Sequence, residues 1–132
     1  MKTLQQFLWF CVSGGLAFLI DAGFTQFWVW IGLDPWTARG LAFPVAVTFT
    51  WWFNRRYTFK ANAKAGGLGR EYLTYVGTQL LGLSVNLGSY ALLVWLSATV
   101  HAWPVIGVAV GSIAGLLVNF LGARHVAFSS RV

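Results

Sequence analysis

Four apolar stretches fill most of this chain, at about 8–31, 36–53, 72–96 and 103–122, and no other feature limits its fold so strongly. Each is close to the roughly 20 residues that a helix needs to cross the hydrocarbon core of a bilayer. Hydrocarbon offers the backbone no hydrogen-bond partners, so runs this continuous are expected to be helices that bond to themselves. Few polar groups interrupt them: Asp21 in the first span, Arg39 near the start of the second. Only 9% of the residues are charged and 58% are hydrophobic, whereas a soluble domain carries about 25% charged residues. There is too little polar surface here to cover a water-facing globule. The expected fold class is an all-α membrane protein, a single transmembrane domain over residues 1–132 with four transmembrane helices.

In a soluble protein the net charge of +6 would suggest nucleic acid. Here the basic residues lie between apolar spans, which fits a membrane surface and no nucleic-acid partner. Arg55, Arg56, Lys60, Lys64 and Arg70 share the link between the second and third spans, while the links "GLDPWT" and "SATVHA" hold no Lys or Arg. Lys2, Arg124 and Arg131 agree with a basic side, and Arg39 is the dissenter. The N and C termini and the middle link are therefore expected to be cytoplasmic. The eight tryptophans fall near span ends, as interfacial belts require. Lys2 before an apolar run has the look of a signal peptide, but the run is long and no small-residue cleavage pattern follows it, so a retained helix is expected. Cys11 lies within an apolar run and is expected to be a packing or lipid-facing residue.

The chain also matches itself. At an offset of 65, Asp21-Ala22-Gly23 meets Asn86-Leu87-Gly88, and at an offset of 69, "TWWFNRRYTF" meets "NFLGARHVAF". Arg55 then pairs with Arg124, Phe59 with Phe128 and Thr50 with Asn119. Two helical hairpins that start on the same side would be parallel repeats about an axis along the membrane normal.

Each span carries one small or polar stripe at helical spacing: Gly14, Ala17, Asp21 and Thr25; Ala46, Thr50 and Asn54; Gln79, Gly82 and Asn86; Gly107, Gly111, Gly115 and Asn119. Stripes of this kind let helix backbones approach closely. They also line up an acid, amides and a hydroxyl that could form a narrow polar path. An acid in mid-span costs about 2.5–3.5 kcal/mol on insertion scales, so Asp21 should face protein or water and not lipid. Arg55 and Arg56 fall just past the second span, and Arg124 and His125 just past the fourth, between aromatic residues that would hold them at headgroup depth. The planar guanidinium fork matches phosphate geometry, and a sugar could stack on Trp51 or a tyrosine nearby. No phosphate-binding glycine loop, no Cys/His set of metal spacing and no pair of neighbouring acids is present in the sequence. No catalytic function, cofactor or metal is expected.

On "FCVSGGLAFLIDAGF", "NRRYTF" and "NFLGARHVAF" the chain resembles the GtrA-like family of small four-helix membrane proteins, over nearly its whole length. Thr50 stands where the first half of that family usually has an Asn. The resemblance implies translocation of a polyprenyl-phosphate-linked monosaccharide, for example undecaprenyl-phosphate glucose, across the bacterial cytoplasmic membrane for cell-surface polysaccharide synthesis. On that basis Arg55, Arg56 and Arg124 are the candidate phosphate ligands in the cytoplasmic leaflet. Asp21, Thr50, Trp51, Asn54, Gln79, Asn86 and Asn119 are the candidate sugar path, and Arg39 the candidate phosphate contact at the far side. Four helices enclose little volume, so a groove at the lipid face or between two subunits, and a homodimer, are expected. Two alternatives remain open. One is a non-transporting anchor that recruits a glycosyltransferase. The other is a small proton-coupled exporter, disfavoured because such proteins use Glu and show little charge bias.

Overall fold

A computed structural model describes residues 2–59 and 67–129, and all the regular structure among them is helical. The contacts gather into two compact units, Met1–Ala63 and Lys64–Val132, each built on one helical hairpin.

In the first unit α1 (Thr3–Trp30) turns into α2 (Pro35–Phe53). At 1.5 Å per residue these helices are about 42 and 28 Å long. Gly32 in the connection has a φ of 111°, a conformation that side chains with a Cβ rarely adopt. The start of α2 is fixed by Asp34, whose carboxylate accepts hydrogen bonds from Thr37 N at 3.0 Å and Thr37 Oγ1 at 2.5 Å, with Pro35 at the first helical position. Those two hydrogen bonds hold the Asp34 carboxyl below its ordinary pKa, the side-chain bond being the larger cause. A depressed carboxyl contributes stability that is present above its unfolded pKa of about 3.9 and is lost as pH falls through the lower folded value. Asp34→Ala is therefore expected to lower the thermal midpoint at pH 7, and the gap to wild type should close on acidification below about pH 4.

In the second unit α3 (Leu68–Leu96) leads through the short helix α4 (Ala98–Ala102) into α5 (Pro104–Gly122). The α3–α5 seam is made by glycine. A Cβ at Gly111 would lie 2.5 Å from the Asn86 carbonyl oxygen, and one at Gly115 2.8 Å from the Gly82 carbonyl oxygen. A Cβ at Gly82 would overlap the Asn119 side chain. The backbones thus meet at a distance that only glycine permits.

Both units end in the same way. After Phe53 the helix widens into a π-turn over Asn54–Thr58, closed by Phe59 N donating to Asn54 O at 2.7 Å. After Gly122 a second π-turn covers Ala123–Ala127, closed by Phe128 N donating to Ala123 O at 2.8 Å. The buried positions also correspond. Gln6, Phe10 and Ser13 on α1 are buried, and so are Glu71, Tyr75 and Thr78 on α3, each 65 residues later. Ser13 Oγ donates to Phe10 O and Thr78 Oγ1 to Tyr75 O, both at 2.8 Å. Ala38, Ala42 and Ala46 are buried on α2, and Gly107, Gly111 and Gly115 on α5, each 69 residues later. Phe10 packs edge-on to Phe59 with centroids 6.4 Å apart, and Tyr75 packs on Phe128 at 5.7 Å.

Some expected boundaries move. α1 starts at Thr3 and not near residue 8, and α3 at Leu68 and not near 72. Apolar runs mark only the hydrocarbon-embedded part of a helix, and backbone bonding continues into polar flanks. Among the described residues three helices are long and apolar enough to cross a membrane: Thr3–Trp30, Leu68–Leu96 and Pro104–Ala127. The fourth expected span, α2, is a 19-residue helix whose hydropathy is lowered by Arg39, two prolines and three tryptophans. Large side chains such as Phe18, Leu19, Leu73, Val105 and Ile113 are exposed around these helices, as lipid-facing surfaces demand.

Candidate functional site

The first π-turn places its basic residues on an aromatic floor. Tyr57 stacks on Trp9 with centroids 6.2 Å apart and a 19° angle, and packs on Phe53 at 4.9 Å and Trp52 at 6.0 Å. The Arg56 guanidinium lies over Tyr57, 5.9 Å from the ring centroid. Arg56 is exposed, while Arg55 and Trp51 are half-buried. Asn54 is fully buried, and its Oδ1 accepts from Thr58 Oγ1 at 2.8 Å. That bond links the first and last residues of the turn, so one role of Asn54 is to hold the arginines in place. The second π-turn presents Arg124, half-buried, and His125, exposed. Ala123 and Ala127 occupy the positions of Asn54 and Thr58, so the side-chain tie belongs to the first turn alone. π-turns inside helices recur at functional sites, where they turn side chains out of the α-helical register.

The candidate path residues separate by environment. Thr50 is buried and donates to Val47 O at 2.9 Å. Asn86 and Asn119 lie in the glycine seam of α3 and α5, with the Asn86 Cβ 2.9 Å from where a Gly115 Cβ would stand. Asn119 Oδ1 is buried with no hydrogen-bond partner. Gln79, half-buried, donates to Thr78 Oγ1 at 3.4 Å. Helix–helix packing therefore takes up Asn86 and Asn119, while the Thr50 and Gln79 hydrogen bonds lie within their own helices.

Asp21 and Arg39 meet. Arg39 Nη2 lies 3.5 Å from Asp21 Oδ2 across the α1–α2 hairpin. The side chains are 67% and 29% exposed for Arg39 and Asp21 respectively. The arginine that broke the charge pattern thus has an internal counter-ion one hairpin arm away. A groove of about 460 Å³ runs along a different face of α1, beside Leu19, Ile20, Gly23, Phe24 and Phe27, and its lining is almost wholly apolar. The sequence reading passed over Glu71, an acid buried at the start of α3. Its position 65 residues after Gln6, at the offset that aligns Asp21 with Asn86, was the available signal. No group of three or more His, Cys, Asp or Glu side chains suited to a metal occurs among the described residues.

Long apolar helices with charge gathered at their ends and at one ion pair within a hairpin define a multi-pass membrane protein. The family model of the GtrA/DPMS transmembrane domain matches residues 9–131, and the chain belongs to that family. Membership places it among membrane proteins of lipid-linked sugar glycosylation. No curated protein matches the chain.

Proposed function

We propose that this protein translocates a polyprenyl-phosphate-linked monosaccharide across the bacterial cytoplasmic membrane for cell-surface polysaccharide synthesis. It does so without catalysing a reaction. The supporting observation is the pair of π-turns, each closing an apolar hairpin and each presenting an arginine at the same register position. In this reading α2 is the fourth span, the π-turn ends are cytoplasmic, and the two hairpins are parallel repeats. A phosphosugar cannot enter hydrocarbon without losing its water, so its path must replace those hydrogen bonds. Each hairpin offers its own phosphate contact, Arg55 and Arg56 at the first π-turn, with Trp51 and the Tyr57 floor beneath the sugar, and Arg124 at the second. Asp21, Thr50, Asn54, Gln79, Asn86 and Asn119 supply polar groups along the path, and the apolar groove on α1 takes hydrocarbon. Two chains form a homodimer, which completes a groove that four helices alone are too few to enclose.

Native mass spectrometry of the purified protein with polyprenyl phosphate, with and without a sugar, tests this reading. Selective binding is expected, weakened about tenfold or more by Arg55→Ala, because a charge-assisted bidentate contact is worth roughly 1.5–3 kcal/mol. Arg124→Ala should weaken it similarly. Sugar-lipid transfer in vesicles reconstituted with the protein alone should follow. Binding that is unselective and indifferent to both variants would overturn the proposal and favour an anchor that recruits a glycosyltransferase.

A further inference from the structure

The two hairpins repeat each other's buried positions, and the Asp21–Arg39 pair is where they part. The position 65 after Asp21 holds Asn86, and the position 69 after Arg39 holds Val108. Asn86 sinks into the seam against bare Gly111 and Gly115. On α2 the matching positions are Ala42 and Ala46, whose buried methyl groups fill that space. Asp21 instead makes a single contact, with Arg39 at 3.5 Å. One oxygen and one nitrogen make that contact, so the pair is monodentate, and Arg39 keeps most of its five donors and two thirds of its surface free. On the same face of α1, four and seven residues beyond Asp21, Thr25 Oγ1 and Trp28 Nε1 are buried with no hydrogen-bond partner. Three donor groups thus gather toward the end of the hairpin opposite the first π-turn. Along α2 the distance from Arg39 to Arg55 is about 24 Å, close to the depth of a bilayer core.

We infer that the Arg39–Asp21 pair is an anion-exchange site for a phosphate ester. Asp21 holds the guanidinium in the ligand-free protein. A phosphate, with two oxygens for the fork, displaces the carboxylate and takes Arg39, with Thr25 and Trp28 as further donors. Such a site rests on the lipid-phosphate function proposed above and gives that function a second station at the other end of the hairpin. The internal carboxylate acts as a competitor. It keeps Arg39 from holding a phosphate too tightly to release, because apparent affinity falls with the fraction of Arg39 that is free.

The experiment measures binding of a polyprenyl monophosphate and, separately, of inorganic phosphate to purified protein in detergent. It is done in the Arg55→Ala/Arg124→Ala background, so that the π-turn site does not dominate. Asp21→Asn is expected to tighten binding about tenfold there, as removal of a competitor that occupies Arg39 about nine tenths of the time would do. The gain should vanish when Arg39→Gln is added. A gain with both probes means that the phosphate is recognised by itself; a gain with the lipid alone means that it arrives on its hydrocarbon chain. No gain, or a gain that survives Arg39→Gln, overturns the exchange site. A failure of Arg55→Ala and Arg124→Ala to weaken wild-type binding instead overturns the π-turn site, so the two ideas fail separately. Should Asp21→Asn not give monodisperse protein, Arg39→Lys carries the test: it keeps the ion pair and removes the fork. Binding should weaken about fivefold, since monodentate ammonium replaces bidentate guanidinium, and unchanged binding overturns the site.

Discussion

Gly111→Ala is expected to destabilise the second hairpin severely, while Gly77→Ala on the facing helix leaves it unchanged or slightly more stable. An alanine Cβ at position 111 would stand 2.5 Å from the Asn86 carbonyl oxygen and 2.8 Å from Asn86 Oδ1. The first of these is backbone and cannot rotate aside, so α3 and α5 must separate along the seam. Overpacking of ordinary cores costs about 1–3 kcal/mol. Here the shift also opens the contacts at Gly82, Gly115 and Gly122, all made at close range. A loss of about 3 kcal/mol is therefore expected, at the top of that range. Gly77 has nothing within 4 Å of its would-be Cβ, and Ala is the better helix former by about 1 kcal/mol. Thermal unfolding of both variants in detergent, with size-exclusion profiles, checks the pair. Equal midpoints would mean that the seam relaxes freely and that glycine is not required there.

Much of this architecture was legible in the residues because a bilayer imposes length. Of the four apolar runs, three prove to be helices long and apolar enough to cross a membrane among the described residues, and the offsets of 65 and 69 mark positions that prove to be buried alike. The π-turns were legible only as places. "NRRYTF" and "ARHVAF" could be aligned, but no residue pattern distinguishes a wide turn from a frayed helix end, since the difference lies in which carbonyl the closing N–H of Phe59 or Phe128 selects. The short helix Ala98–Ala102 lay within the link "SATVHA", which was noted only for its lack of Lys and Arg, although Ser97, which accepts from Val100 N at 3.3 Å, is an ordinary N-cap. Arg39 was read as the dissenter from the membrane side that the other basic residues mark, a rule about loops. Its partner is 18 residues away on the other arm of the hairpin, and helix pairing decides that contact. Asn86 and Asn119 read equally well as path or packing groups. The glycines opposite them, whose empty side-chain space they fill, show the packing role directly.

Arg39→Ala should destabilise the protein by about 2 kcal/mol, and adding Asp21→Asn should restore most of the loss. Asp21 lies nine residues before the end of α1, about 13 Å along the helix. An unpaired carboxylate at the centre of a membrane span costs about 2.5–3.5 kcal/mol, and less toward the interface. Removing the guanidinium exposes that cost; making the residue neutral removes it again. The opposite deletion is milder. Asp21→Asn leaves an arginine that is 67% exposed near the start of α2, where its long stem can carry the charge to the headgroups. The asymmetry between the single variants, and not the size of either, is the signature of an acid held at depth by a movable base. Thermal unfolding of the two single variants and the double variant forms the cycle that isolates the pair. A double variant as unstable as Arg39→Ala alone would assign the loss to packing of the arginine stem. A loss below about 0.5 kcal/mol for Arg39→Ala would place Asp21 in water, since only an exposed ion pair is worth so little, and would make its face of α1 a wall of the aqueous path.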